Sequence, residues 1–449
     1  MKSITMQSFK LRPYQEKAKE GVKSSFLVSN RRVILCMPTG SGKTVTFVDM
    51  IAGAMSKGLT SMILCDRKEL INQALAKVDS LGIKPTVIAP GYDQKENSVY
   101  LASVDTLRRR KIPVVDLVII DEAHKQTFDG TIKKYIELCN PFIIGATATP
   151  LRIGNQTALD EFYKDIVEPV TTQQLIDLGF LVPARTFASK EDFSDVKKAG
   201  NDYDQSALFD KFNTVKLYAD AVGNYKKFAN GKKAICFNVN VKHSLEMVQS
   251  FRKAGLKAEH IDGKTPDKER AEILERFKTE KFILCNCSVL CTGFDEPSIK
   301  CVIVNRATMS LCLWLQMTGR GSRTYEDKDN FIIIDQGANV YRHGLWEEER
   351  TWSLQKKKKR KGDGVAPIKV CLSCEAINFV SAKVCKECGE PFKVEEKVLT
   401  KAEFIEIKRK KLVKPNIKTA SRQEISDYAR AMGYKQGWVF QQLKLVKRM

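Results

Sequence analysis

The chain has 449 residues and a mass of 50.7 kDa, enough for two to four domains at roughly 100–200 residues each. Its 43% apolar content excludes a wholly disordered chain, and no run approaches the ~20 apolar residues of a membrane span, which excludes an integral helical membrane protein. The formal net charge is +22, and residues 353–449 alone hold 24 basic against 10 acidic side chains. A chain whose last fifth carries most of its positive charge meets a polyanion, or else wears a solvated tail.

In chain order, the first 15 residues have no apolar stretch of the kind that leads a secreted protein, which points to the cytoplasm. Short apolar runs then alternate with amphipathic segments. Strands are predicted at 33–37, 61–65, 99–102, 117–121, 142–146, 234–238, 258–261, 282–286, 302–305 and 331–335. Apolar strands separated by helices indicate parallel sheets covered on both faces. Ten strands over 300 residues are too many for one such sheet. A polar stretch at 189–213 divides them into α/β domains at 1–188 and 214–346. A basic linker, 347–366, contains the run KKKKRK and serves as a nuclear address only in a eukaryotic source. Residues 367–395 carry a cysteine cluster, and 396–449 are basic with a helical pattern.

Pro38-Thr39-Gly40-Ser41-Gly42-Lys43-Thr44 follows the first strand and opens a helix whose predicted inner face is Val45, Val48, Ile51, Ala52 and Met55. Glycines let backbone N–H groups turn around phosphate oxygens, and the helix N-terminus adds positive potential. Lys43 can reach the β and γ phosphates, and Thr44 can hold Mg²⁺. Cys36 or Met37 stands where the common eight-residue phosphate loop has its first glycine. The strand 117–121 delivers Asp121-Glu122-Ala123-His124 at its C-terminal end, where α/β sheets place ligands. Asp121 would bind Mg²⁺ through water, and Glu122 would orient and deprotonate an attacking water.

Together these residues resemble superfamily-two DEAH-type helicases and translocases, in the branch with type III restriction-like and excision-repair helicases. The resemblance covers roughly residues 9–345. Leu11-Arg12-Pro13-Tyr14-Gln15 matches the adenine-reading motif, with Arg12 and Gln15 as nucleotide contacts. Asp66-Arg67-Lys68-Glu69-Leu70 and Ala102-Ser103-Val104-Asp105-Thr106-Leu107 look like nucleic-acid contacts of the first domain. Gly145-Ala146-Thr147-Ala148-Thr149-Pro150 looks like the segment coupling hydrolysis to strand movement. In the second domain, Ile235-Cys236-Phe237-Asn238 and His260-Ile261-Asp262-Gly263 look like strand-binding motifs. Leu290-Cys291-Thr292-Gly293-Phe294-Asp295 resembles the fifth motif, with Gly293 and Asp295 touching nucleotide. Gln316-Met317-Thr318-Gly319-Arg320-Gly321-Ser322-Arg323 matches the sixth. By that resemblance Lys43, Asp121, Glu122, His124, Gln316, Arg320 and Arg323 carry the chemistry. The two arginines would share a helix face and act as fingers on the γ-phosphate.

Nine of the 13 cysteines lie within the first 312 residues, mostly in apolar runs, and read as buried reduced thiols. The other four form two knuckles, Cys371-x-x-Cys374 and Cys385-x-x-Cys388, spaced for a structural tetrahedral zinc. In the tail, Ser421-Arg422-Gln423-Glu424 suggests a capping box before a short helical hairpin. That hairpin either docks on the core or hooks nucleic acid through Tyr434, Trp438 and lysines.

The fold expected is α/β: two tandem RecA-like parallel-sheet domains, then a small zinc ribbon and a basic helical tail. The function expected is an ATP-dependent motor on nucleic acid, DNA rather than RNA, using ATP, Mg²⁺ and Zn²⁺. The resemblance implies a monomer working with replication, recombination or repair proteins and without a membrane. An RNA motor, an ATP-gated clamp and a motor subunit of a restriction complex are the alternatives.

Overall fold

The computed structural model describes residues 9–152, 156–189, 191–213, 215–291 and 293–355, then 368–370, 377–379, 383–384, 389–392, 405–407 and the single positions 421, 423 and 426. The first sheet is built from β1 (Arg32–Cys36), β2 (Ser61–Cys65), β3 (Thr86–Ile88), β4 (Val99–Ser103), β5 (Leu117–Asp121), β6 (Phe142–Thr147) and β7 (Asp165–Val167). Its order is β3-β4-β2-β5-β6-β1-β7, and every pairing is parallel. Alternate residues of one strand supply opposite cores. Leu35 packs in one apolar cluster and Ile34 with Cys36 in another, and Ile63 and Met62 divide likewise. A strand buried on both faces cannot show a polar alternation, which is why these runs read as continuous apolar segments. Each such Ile or Leu contributes roughly 1.5–3 kcal/mol on burial.

The second sheet contains β8 (Ala184–Ala188), β11 (Ala234–Asn238), β12 (Ala258–Ile261), β13 (Ile283–Asn286), β14 (Cys301–Asn305), β15 (Phe331–Asp335) and β18 (Ile405–Ile407). The order is β12-β13-β11-β14-β15-β8-β18, parallel except for the last pair. Between β8 and β11 lies a hairpin, β9 (Lys198–Ala199) and β10 (Asp202–Tyr203). A second hairpin follows the second sheet's main strands, β16 (Ile368–Val370) and β17 (Ile377–Phe379).

Four features depart from the sequence expectation. The strand β8 lies inside the 1–188 segment yet pairs with β15 in the second sheet. Its ARTFA sequence carries an arginine and a threonine, so it lacks the apolar signature of its neighbours. The polar stretch 189–213 is not a bare linker: Phe193, Val196, Tyr203, Leu208, Phe209 and Phe212 bury together against Val239 and Ala307. Alternating these aromatics with charges hid a small core. Residues 347–355 were expected to open a free linker. Instead Trp352 and Leu354 pack on the first domain, and the Leu354 carbonyl accepts from Asp160 N at 3.3 Å. Finally, β18 adds an antiparallel strand to β8 from within the segment expected to be helical. In the phosphate-loop helix, Lys43–Met55, Val48 and Ile51 are buried as expected, while Phe47 and Ala54 are buried in place of Val45.

Candidate nucleotide site between the two sheets

The loop after β1 runs from Met37 into the helix Lys43–Met55. Gly40 and Gly42 sit at φ +92° and +81°, a region that favours glycine. A Cβ on Gly42 would stand 2.7 Å from Gln15 Nε2, and one on Gly40 would stand 2.1 Å from an Arg323 guanidinium nitrogen. So two ends of the chain converge on this loop, and only glycine admits both. The helix has no side-chain cap, which leaves its first N–H groups for an oxyanion.

Lys43 Nζ donates to the carbonyls of Met37 at 3.2 Å and Pro38 at 3.3 Å. Burial lowers the Lys43 pKa, and Glu122 and Asp121 offset part of that. Asp121 is the last residue of β5 and Glu122 follows at φ +53°, a costly position for a non-glycine residue. Burial first, and Glu122 second, push the Asp121 carboxyl well above the usual carboxylate range. Ser41 Oγ is buried without a hydrogen-bond partner among the described residues. An orphaned hydroxyl, an acid pair at the strand end and a folded-back lysine suit a magnesium–nucleotide, whose charges would complement all three. Thr44 occupies the second position of the helix beside them, and Thr39 lies against Gly319 of the second domain.

Gln15 does not stand open for adenine. Its Nε2 donates to Ser41 O and Gly42 O at 3.3 Å each, and its Oε1 accepts from Arg12 N at 2.9 Å. The Arg12 guanidinium lies 4.3 Å from the centre of the Phe180 ring and donates to Tyr14 Oη at 3.1 Å. Tyr14 in turn donates to Ser41 O at 2.8 Å. Sequence spacing gave no sign of Phe180, which lies 165 residues from Gln15.

The acid loop is clamped from behind. Arg152 donates to His124 O at 2.8 Å and forms a buried bidentate pair with Asp129 at 2.6 and 2.9 Å. Lys125 pairs with Asp66 at 2.6 Å. His124 Nδ1 lies 2.8 Å from Thr147 Oγ1 and 3.4 Å from Glu122 Oε2. Burial lowers its pKa, which favours the neutral ring.

The second domain meets these groups through the helix Leu311–Thr318 and the loop after β13. Gln316 Nε2 donates to Glu122 Oε2 at 3.3 Å. Gly293 O accepts from Gln73 Nε2 at 2.5 Å. The two arginines separate. Arg323 reaches Gly40, with its Nε held by Asp295 Oδ1 at 2.8 Å. Arg320 is buried on its own domain's backbone, bonded to the carbonyls of Cys291 and Phe294. They do not share a helix face because the helix ends at Thr318 and a 3₁₀ turn, Gly319–Gly321, re-aims the chain. Thr292 and the zinc-spaced Cys371, Cys374, Cys385 and Cys388 lie outside the described residues, as do the KKKKRK run and the tail residues Tyr434 and Trp438. No described helix is long and apolar enough to cross a membrane.

Residues 8–152 match the family model of the type III restriction enzyme res subunit, and residues 215–325 match the helicase conserved C-terminal domain. A 51.5 kDa protein of a Lactococcus phage is 32% identical over 80% of this chain and 78% of its own length. A Saccharomyces cerevisiae protein assigned as the ATP-dependent helicase IRC3 is 30% identical over 72% of this chain, which spans only 51% of that relative. A solved fragment assigned to the HsdR subunit of a type I restriction enzyme from Vibrio vulnificus superposes with a TM-score of 0.57 at 25% identity, covering 74% of this chain and 65% of the fragment. Two α/β domains that meet at a phosphate loop, each matched by its own family model, identify the chain as a member of the superfamily-two helicases, the ATP-dependent helicase enzymes.

Proposed function

We propose that the chain is a DEAH-type motor that moves along DNA, with ATP hydrolysed in the cleft between its two sheets. The observation that carries the DNA reading is the restriction-enzyme kinship of the first domain, on both the family match at 8–152 and the HsdR-like fold. Lys43 supplies the cation for the β and γ phosphates. Thr44 and Asp121 hold Mg²⁺, which when bound neutralises phosphate charge. Glu122 takes the proton of the attacking water, with Gln316 and His124 fixing its carboxylate. Arg323 brings positive charge from the second domain only when the cleft is shut, so hydrolysis follows domain closure. The deciding experiment is ATP turnover on single-stranded, duplex and forked DNA beside matched RNA. Stimulation by RNA and not by DNA would replace this reading with an RNA motor.

The cysteine knuckles are proposed to hold one structural zinc. The strands β16 and β17 precede and follow the first knuckle in the chain, and Val384 pairs with Pro391 around the second. Gly389, at φ +75°, comes directly after Cys388. Each pair therefore falls between two mutually bonded segments, the setting of a zinc ribbon. Chain purified under reducing conditions is expected to carry one zinc, and Cys371→Ser with Cys374→Ser to lose it while the helicase core stays folded. Elemental analysis that finds no metal removes the site.

The last segment, 408–449, holds 12 basic and 2 acidic side chains and is proposed to grip phosphates. Deleting it should leave basal turnover near its starting value. On single strands it should reduce the slope of log K against log salt by about 0.7 for each phosphate that the segment neutralises. The cut at 407 keeps β18, so the second sheet stays intact. A lower melting temperature with an unchanged slope would make the segment a structural brace instead.

A further inference from the structure

One cysteine of the helix Leu311–Thr318 stands among the hydrolytic groups without a place in any motif. Cys312 lies one turn before Gln316, so both side chains project from the same helix face toward the first domain. Its Sγ is 3.1 Å from His124 Nε2 and 3.0 Å from Thr149 Oγ1. Both partners belong to the other sheet: His124 follows β5 and Thr149 follows β6.

The donors can be ordered. Thr149 has a hydroxyl proton to give, and the sulfur accepts it. The thiol proton then goes to His124 Nε2. That leaves the imidazole proton on Nδ1, which points at Thr147 Oγ1, 2.8 Å away, with Glu122 Oε2 at 3.4 Å. Thr147 Oγ1 also accepts from Thr149 N at 3.0 Å, so the circuit closes. The groups facing His124 are Glu122 and Lys125 on its own loop, Arg152 beyond β6, Asp66 beyond β2 and Cys312 from the second domain. Of these, only Cys312 crosses the cleft.

We propose that Cys312 is a positioning residue, one that fixes the His124 tautomer on domain closure and so keeps the proton on Nδ1, the nitrogen that faces Thr147 and lies beside Glu122. This rests on the hydrolytic reading of Glu122 given above. Opening the cleft withdraws the thiol and frees the ring to flip, so the acid is held ready only in the closed state. Burial pushes the thiol pKa up to about 12, so it acts as S–H and not as a thiolate.

The test uses the full chain with a thymidine oligonucleotide as the strand. Cys312→Ala should lower kcat about five- to ten-fold, the scale of the one neutral hydrogen bond to His124, with KM for ATP within about two-fold. Cys312→Ser keeps a donor and an acceptor and should restore most of kcat. An alanine variant with normal kcat, or a serine variant no better than alanine, overturns the proposal. A second readout does not depend on turnover. Iodoacetamide labelling of Cys312, followed by peptide mass spectrometry, should slow when a non-hydrolysable ATP analogue and the strand are added. Labelling of Cys139, half-buried at the far end of the helix Asp129–Leu138, should not change. Equal labelling of Cys312 in both states overturns the closure contact even in a chain that hydrolyses nothing. Absent turnover in the unmodified chain would instead count against the motor reading.

Discussion

Glu122→Gln is expected to abolish turnover while ATP still binds. The carboxylate is held on one oxygen: Gln316 donates to Oε2, and His124 Nδ1 lies 3.4 Å from the same atom. Oε1 is then the oxygen that takes the proton of an attacking water. An amide fills the same space and leaves the backbone at φ +53° unaltered, so the pocket keeps its shape. It cannot accept that proton, and loss of a general base costs about 10²–10⁴ in rate. Phosphate release under saturating ATP measures the loss, and equilibrium binding of a fluorescent nucleotide measures retention. A variant that turns over near the normal rate would strip Glu122 of its role. One that fails to bind would mean that the carboxylate serves the nucleotide and not the water.

The sheets were legible because their strands are buried on both faces. Runs such as VILC and LVII carry no polar interruption, and their cores lie on both sides of each strand. The two shortest strands of the first sheet, Thr86–Ile88 and Asp165–Val167, escape a sequence reading because three residues carry no period. Positions with special chemistry were legible for a local reason: a phosphate loop must turn tightly, so its glycines are spaced, and an acid pair must sit at a strand end. What sequence could not give is convergence. Nothing in the spacing says that Phe180 stacks on Arg12, that Gln15 closes on the loop, or that Cys312 touches His124. Those contacts join elements far apart in the chain, and each depends on how the two sheets meet.

The arginines show the same limit most sharply, and they yield the second large effect. Their spacing of three implied a shared face and equal roles. The 3₁₀ turn at Gly319–Gly321 breaks that equivalence. Arg323, oriented by Asp295, approaches Gly40 of the phosphate loop. Arg320 ties the carbonyls of Cys291 and Phe294, and so braces the very loop that carries Gly293 and Asp295. Arg323→Ala should therefore reduce single-turnover hydrolysis by something on the order of 10³, with little change in melting temperature. Lysine should not rescue it, because a guanidinium can hold Asp295 and a phosphate oxygen together and an ammonium cannot do so in the same geometry. Arg320→Ala should lower both rate and stability, since two buried carbonyls lose their donor at about 1–3 kcal/mol each. Rate and melting temperature measured side by side separate the two roles. If Arg320→Ala proved catalytically dead at full stability while Arg323→Ala stayed active, Arg320 would have to leave its carbonyls and swing into the cleft when nucleotide binds. The brace would then be the resting position of the finger.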